Sequence, residues 1–163
     1  MSVIEKVGIG DTAPDFELIN PANGDRIRLS DKRGKNVLLV FLRGTWCPFC
    51  KEQLNTLREA QDRLIAAGIN TIAISCQTRA SVTRYLTQNP LPFALLADEK
   101  REVARAFGVH YWLSMEGVNL ANPAIFIVDT QGKVSFRYVG KNMSDLPVST
   151  ILEKFIFFLQ ENK

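Results

Sequence analysis

Val37-Leu38-Leu39-Val40-Phe41-Leu42-Arg43-Gly44-Thr45-Trp46-Cys47-Pro48-Phe49-Cys50-Lys51 is the stretch that decides the fold. Val37 to Leu42 is an unbroken apolar run, the pattern of a strand buried on both faces. Gly44 and Thr45 break the run, and from Cys47 a long helical pattern begins. Cys47 is expected at the N-cap and Pro48 at the first helical position, where a missing N–H costs nothing. Cys50 then lies one turn on, so both sulfurs share a face of the first turn, at a separation that allows a disulfide. Free N–H groups and partial positive charge at a helix start favour a thiolate at Cys47. Arg43 and Lys51 add positive charge, and a thiolate is the nucleophile of redox chemistry. The stretch reads as a redox dithiol.

Two other uses of the pair fit less well. A zinc site needs two further ligands, and Cys76 and His110 are the only other cysteine and histidine in the chain. A structural disulfide across so short a loop gains little from closure. Trp46-Cys47-Pro48-Phe49-Cys50-Lys51 resembles the active site of the thioredoxin superfamily, with a centre similar to the Cys-Pro-Tyr-Cys of glutaredoxins. The resemblance implies that Trp46 packs beside the dithiol and shapes a substrate groove.

Upstream, Phe16–Ile19 and Arg26–Leu29 read as a hairpin around the turn chemistry of Asn20 to Asp25, followed by a polar turn, Ser30 to Asn36. Downstream, Leu54, Leu57, Ala60, Leu64 and Ala67 form a helical stripe that Gly68 ends. A strand is expected at Ile69–Ser75, a helix at Arg79–Gln88 and a strand at Phe93–Ala97. A helix follows at Asp98–Phe107, then strands at Ala124–Asp129 and Lys133–Val139, and a last helix at Pro147–Gln160. Residues 108–122 show no clear period and read as a long excursion. Strands alternating with helices imply an α/β fold, a central mixed sheet flanked by helices with an N-terminal β-hairpin extension. Residues 1–163 suit a single domain with one substantial core.

Gly10-Asp11-Thr12-Ala13-Pro14-Asp15-Phe16 resembles the opening of the peroxiredoxins, the alkyl hydroperoxide reductase and thiol-specific antioxidant family. Leu95-Leu96-Ala97-Asp98, Val103 to Val109, and Phe126-Ile127-Val128-Asp129 with Gly132-Lys133 extend the likeness over nearly the whole chain. Two positions depart from it. The family's Pro-x-x-x-Thr-x-x-Cys falls on Arg43, Cys47 and Cys50, so a second thiol replaces the threonine and Thr45 is off register. The arginine three residues before Phe126, which the resemblance assigns to polarising the O–O bond, is here Pro123. Asn122-Pro123-Ala124 is instead similar to the cis-proline of thioredoxin-type reductases, which packs against the dithiol; a cis Asn122–Pro123 bond is expected.

Other residues have plainer alternatives. Cys76 ends a strand parallel to the one leading to Cys47 and is a candidate third redox thiol, against a role as a small buried hydrophobe. Arg137 is a candidate substitute for the missing arginine, against a solvent-facing strand position. His110 has no acidic neighbour in sequence to make it catalytic. On the last helix, Val148, Leu152, Phe155, Ile156 and Leu159 make one stripe, while Phe157 points to the polar side. Phe157 and Phe158 would then cover a second subunit of a homodimer or the 108–122 excursion; isolated exposed aromatics are the alternative.

Twenty basic and seventeen acidic residues leave a net charge of +3, too mild to suggest nucleic acid or an anionic membrane as partner. No apolar run reaches the length of a membrane span, Met1 to Asp11 lacks a signal-peptide core, and three cysteines do not make a secreted disulfide framework. A cytoplasmic thiol-based antioxidant oxidoreductase is expected, needing no organic cofactor or metal. Cys47 and Cys50 are its catalytic pair, with Arg43, Thr45, Trp46, Pro48 and Pro123 in support. It would reduce disulfides or hydroperoxides and be recycled by a thioredoxin- or glutaredoxin-type reductant. The alternatives are a hydroperoxide reductase with Cys50 as the peroxidatic cysteine, and a non-catalytic redox sensor.

Overall fold

The apolar run before the dithiol becomes β3 (Asn36–Leu42), the middle strand of a five-stranded sheet in a computed structural model. The structure describes residues 7–114 and 117–161, and the side chains of these except for 111–120. On one side β3 pairs in parallel with β4 (Ile69–Ser75), which pairs in parallel with β5 (Ala94–Ala97). On the other it pairs antiparallel with β8 (Ala124–Val128), and β8 with β9 (Val134–Val139). Every residue of β3 from Val37 on and all of β8 are buried, which explains the continuous apolar runs.

The period-2 alternation of these strands divides the core into two layers. Leu38, Val40, Leu42, Ile125 and Ile127 face α1 (Pro48–Ala66), α2 (Arg79–Gln88) and α4 (Val148–Glu161). Val37, Leu39, Phe41, Ile72, Ile74 and Phe126 face the other way. There they meet α3 (Glu102–Ala106) and the hairpin of β1 (Glu17–Ile19) and β2 (Arg26–Arg28). Phe41, Phe107 and Phe126 are mutually in contact at 5.1–5.8 Å between centroids, mostly edge to face, which anchors that second layer. The α/β architecture and the N-terminal hairpin agree with the expectation.

Three local outcomes differ from it. The helix expected from Asp98 begins only at Glu102, because the Asp98 carboxylate accepts from the N–H groups of Val103 and Ala104 (3.3 and 2.9 Å) and caps the turn from outside. Within the 108–122 excursion, β6 (His110–Ser114) and β7 (Gly117–Ala121) pair antiparallel as a separate two-stranded sheet. Between β2 and β3 the polar turn holds a 3-10 turn, Leu29–Lys32.

Helix α4 buries Val148, Ile151, Leu152 and Ile156 against the sheet, with Phe155 and Leu159 partly covered. Arg63 of α1 grips Glu153 of α4 through both carboxylate oxygens at 2.7 Å. Phe157 and Phe158 are more than half exposed. No helix among the described residues is long and apolar enough to cross a membrane.

Candidate active site

Because β3, β4 and β5 run parallel, their C-terminal ends meet at one edge of the sheet, where β8 begins with Ala124 opposite Phe41. Such an edge is where open α/β sheets place their sites. Arg43 to Cys47 turn there from β3 into α1. Cys47 is the N-cap residue, with φ −81° and ψ 126°, and Pro48 follows in the first helical turn. No side chain caps the helix, so the N–H groups of Phe49 and Cys50 stay available to a thiolate at Cys47.

The two thiols are neighbours in the first turn of α1, and both cysteines are in the free form. Burial above all, with the neighbouring Cys47 adding to it and the backbone N–H groups of Gly44 and Arg43 offsetting it in part, pushes the Cys50 thiol up to about 11. Cys50 therefore holds its proton at neutral pH, in keeping with a resolving role. The N-cap position does not leave Cys47 open: it is only 1% exposed, and Cys50 is buried too. The residues between and beside them take the surface, with Trp46 53% and Phe49 40% exposed and Pro48 open to solvent. An apolar lip thus surrounds a covered Cys47.

Trp46 is held over the buried Arg43, its ring centroid 5.1 Å from the guanidinium carbon. The same indole closes over Gly44: a Cβ at that position would overlap atoms of its five-membered ring. Thr45, behind the lip, is tied to the end of β4. Its N–H donates to Gln77 Oε1 (2.9 Å), and Gln77 Nε2 donates to Thr45 Oγ1 (3.0 Å) and Ser81 Oγ (2.9 Å). Ser75 Oγ donates to the same Gln77 oxygen at 2.6 Å. All four hydrogen-bonding positions of the Gln77 amide are used. Sequence reasoning missed Ser75, Gln77 and Ser81; the signal was parity, since residues 75 and 77 share the α1 face of β4 once Cys76 is assigned to the other.

The remaining candidates separate. Cys76 reaches the right edge but packs in the opposite layer, with Phe41, Phe107 and Phe126, and burial followed by the Asp98 carboxylate pushes its thiol up to about 12. Arg137 pairs across the sheet with Phe126 and sits 6.0 Å from its ring, also on the layer away from α1. Neither is brought to the dithiol, because alternation along a strand sends neighbours to opposite faces. Pro123 is buried one residue before the Ala124–Phe41 pair, at the end of β3 where Arg43 begins. Its bond to Asn122 is trans, contrary to the expected cis form. The chain runs straight into β8 there, pinned by Asn122 N–H to Val109 O (2.8 Å) and by Gly140 N–H to Pro123 O (2.7 Å).

With this edge described, the relatives can be set beside it. The AhpC/TSA family model matches residues 9–137, which takes in the dithiol, the strands from β1 into β9 and the proline edge. The chain belongs to the AhpC/TSA family. It is 32% identical over 127 residues to the peroxiredoxin Bcp of Escherichia coli strain K12, covering 77% of this chain and 81% of that one. It is 30% identical over 142 residues to the thiol-disulfide oxidoreductase ResA of Bacillus thuringiensis subsp. konkukian, covering 86% and 75%. The crystal structure of the peroxidoxin BcpB from Mycobacterium tuberculosis superposes with a TM-score of 0.82 at 23% identity, over 96% of this chain and 99% of that one, a likeness of fold. This AhpC/TSA member is a thiol-based oxidoreductase, as its dithiol and its relatives of both kinds agree.

Proposed function

We propose that the Cys47–Cys50 pair is the redox centre of a thiol-based antioxidant enzyme in which Cys47 attacks and Cys50 resolves. The observation that carries this is the helix N-cap placement of Cys47 beside a Cys50 thiol that burial keeps protonated. With a disulfide RS–SR′, the Cys47 thiolate forms a mixed disulfide with RS and expels R′S⁻. With a hydroperoxide ROOH it takes one oxygen, becomes a sulfenic acid and releases ROH. Cys50, losing its proton, then attacks the Cys47 sulfur, and RS⁻ or water leaves with the Cys47–Cys50 disulfide behind. Two electrons from an external thiol reductant of thioredoxin or glutaredoxin type return both thiols. Arg43, Thr45, Trp46, Pro48 and Pro123 shape the site in this reading. The chain works as one domain, in the cytoplasm, and pairs as a homodimer through Phe157 and Phe158.

A second reading has its own support. Read in the family's Pro-x-x-x-Thr-x-x-Cys register, Cys50 corresponds to the peroxidatic cysteine, and the backbone N–H groups of Gly44 and Arg43 act to lower its thiol against the effect of burial. The trans Asn122–Pro123 bond also withdraws the thioredoxin-like proline as an argument for disulfide substrates. Steady-state turnover of hydrogen peroxide and of insulin disulfides, side by side with a thioredoxin-regenerating system, decides the oxidant. Activity with neither would refute the catalytic reading and leave a redox sensor.

A further inference from the structure

Between α1 and α2 is a cleft of about 320 Å³ that the reaction as described does not use. Its size suits a small molecule, and Thr45 and Trp46, the two residues before Cys47, form part of its wall. Lys51 and Arg84 supply two positive charges to the lining, and no acidic residue joins them.

The floor is equally one-sided. Gln77, fixed by the obligatory N–H of Thr45, directs its oxygen at that N–H and both amide hydrogens at the hydroxyl oxygens of Thr45 and Ser81. Each hydroxyl has thereby spent an acceptor position and keeps its own hydrogen to give. Among the described residues neither gives it to another group, and both line the cleft. Two hydroxyl hydrogens, an ammonium and a guanidinium thus face one space. The charged groups of the lining are all cations, which with the two hydroxyl hydrogens favours an acceptor-rich anion beside the amides of Asn55, Gln88 and Asn89, and a guanidinium matches a carboxylate in two-pronged fashion.

The geometry points to this cleft as the binding site of a small thiol that carries one or more carboxylates, seated with its sulfur at Cys47. The inference deepens the proposed function and rests on Cys47 as the sulfur that exchanges. In the oxidised enzyme the bound thiolate RS⁻ attacks Cys47 Sγ, the Cys47–Cys50 bond breaks, and Cys50 leaves as a thiolate that takes up a proton. A second RSH, giving up its proton, attacks the sulfur of R in the mixed disulfide, releases RSSR and restores the Cys47 thiolate. Two thiols are oxidised and one protein disulfide is reduced. Trp46, exposed at the mouth, covers the bound chain.

S-methylglutathione, which keeps both carboxylates and cannot exchange, tests the site apart from the chemistry. Calorimetric titration of the reduced protein should show saturable binding, weakened about tenfold in Arg84→Gln and about tenfold again for the diethyl ester. In turnover, the ratio of kcat/KM for glutathione to that for uncharged dithiothreitol should fall about tenfold in Arg84→Gln and recover in Arg84→Lys. Arg84 is exposed, so these variants should keep the wild-type circular dichroism spectrum. Ester binding as tight as that of the free acid, or a ratio that Arg84→Gln does not move, would overturn the site. Binding with exchange through Cys50 would support the carboxylate cleft and overturn only the Cys47 assignment beneath it.

Discussion

Thr45 and Gln77, thirty-two residues apart in sequence, hold each other by two hydrogen bonds, 2.9 Å to the Thr45 backbone and 3.0 Å to its hydroxyl. The link fastens the loop that carries the dithiol to the end of β4, in a place where both residues are buried. Gln77→Leu strands the Thr45 N–H and the Ser75 hydroxyl. A buried polar group left without a partner costs about 1–3 kcal/mol, so urea denaturation should report a loss of that order. The freed loop should also alkylate faster at Cys47. Wild-type stability in Gln77→Leu would show that the network holds nothing.

The thiols should separate in their pH response. In Cys50→Ser, Cys47 is expected to react with iodoacetamide quickly near neutral pH and to trap mixed disulfides with substrate. In Cys47→Ser the remaining thiols, Cys50 and Cys76, are both ones that burial pushes up. A thiol is reactive as thiolate, so their alkylation should be slow near neutral pH and climb as pH rises. Fast alkylation of Cys47→Ser at neutral pH, with Cys50→Ser inert, would transfer the nucleophile to Cys50.

Two glycines of the edge should respond differently to alanine. At Gly44 the added methyl meets the indole of Trp46, an exposed side chain that can swing aside. Little stability is lost, but the stacking on Arg43 goes, and the tryptophan fluorescence should shift. At Gly140 the methyl meets the backbone carbonyl of Asp145 and the Pro123 ring, neither able to yield alone. Overpacking of this kind costs about 1–3 kcal/mol, so Gly140→Ala should lower Tm by several degrees while Gly44→Ala does not. Equal losses would contradict the contrast.

Tyr138 donates to Asp145 Oδ1 at 2.6 Å and the Lys141 N–H to Oδ2 at 2.8 Å. The tyrosine hydrogen bond first, then the backbone one, holds the carboxyl below its usual 3.8. A carboxylate lowered in the folded state stabilises it above the unfolded pKa, and that contribution fades as pH falls through the folded value. Tyr138→Phe should therefore be less stable than wild type at pH 6–7, with the difference closing below about pH 4. A gap that persists at pH 2–3 would assign the effect to packing.

Phe157 and Phe158 extend an apolar strip into solvent on α4. Phe157→Glu is expected to shift the mass found by light scattering towards a single chain. A wild type that is already monomeric at high concentration would refute the homodimer.

Much was legible in sequence because it depends on neighbours within a turn or on strict alternation. The bounds of β4 and α2, the N-cap at Cys47 with Pro48 next to it, and the two-sided burial of β3 follow from residues a few positions apart. The opening motif, the dithiol and the Phe126–Asp129 strand were enough to reach the family.

What tertiary structure alone decided involves pairs that only sheet order brings together. Cys76 and Arg137 belong to strands at the right edge, yet which face each presents depends on the register of β4 and β9. The late start of α3 depends on Asp98 folding back onto two N–H groups, a competition that helical periodicity does not reveal. Cys47 looks open at a helix cap in one dimension, but the lip of Trp46 and Phe49 covers it in three. The anion-selective cleft needs α1, α2 and the end of β4 at once, so no window of sequence contains it: burial and electrostatic lining are properties of the surfaces that meet, not of the segments that supply them.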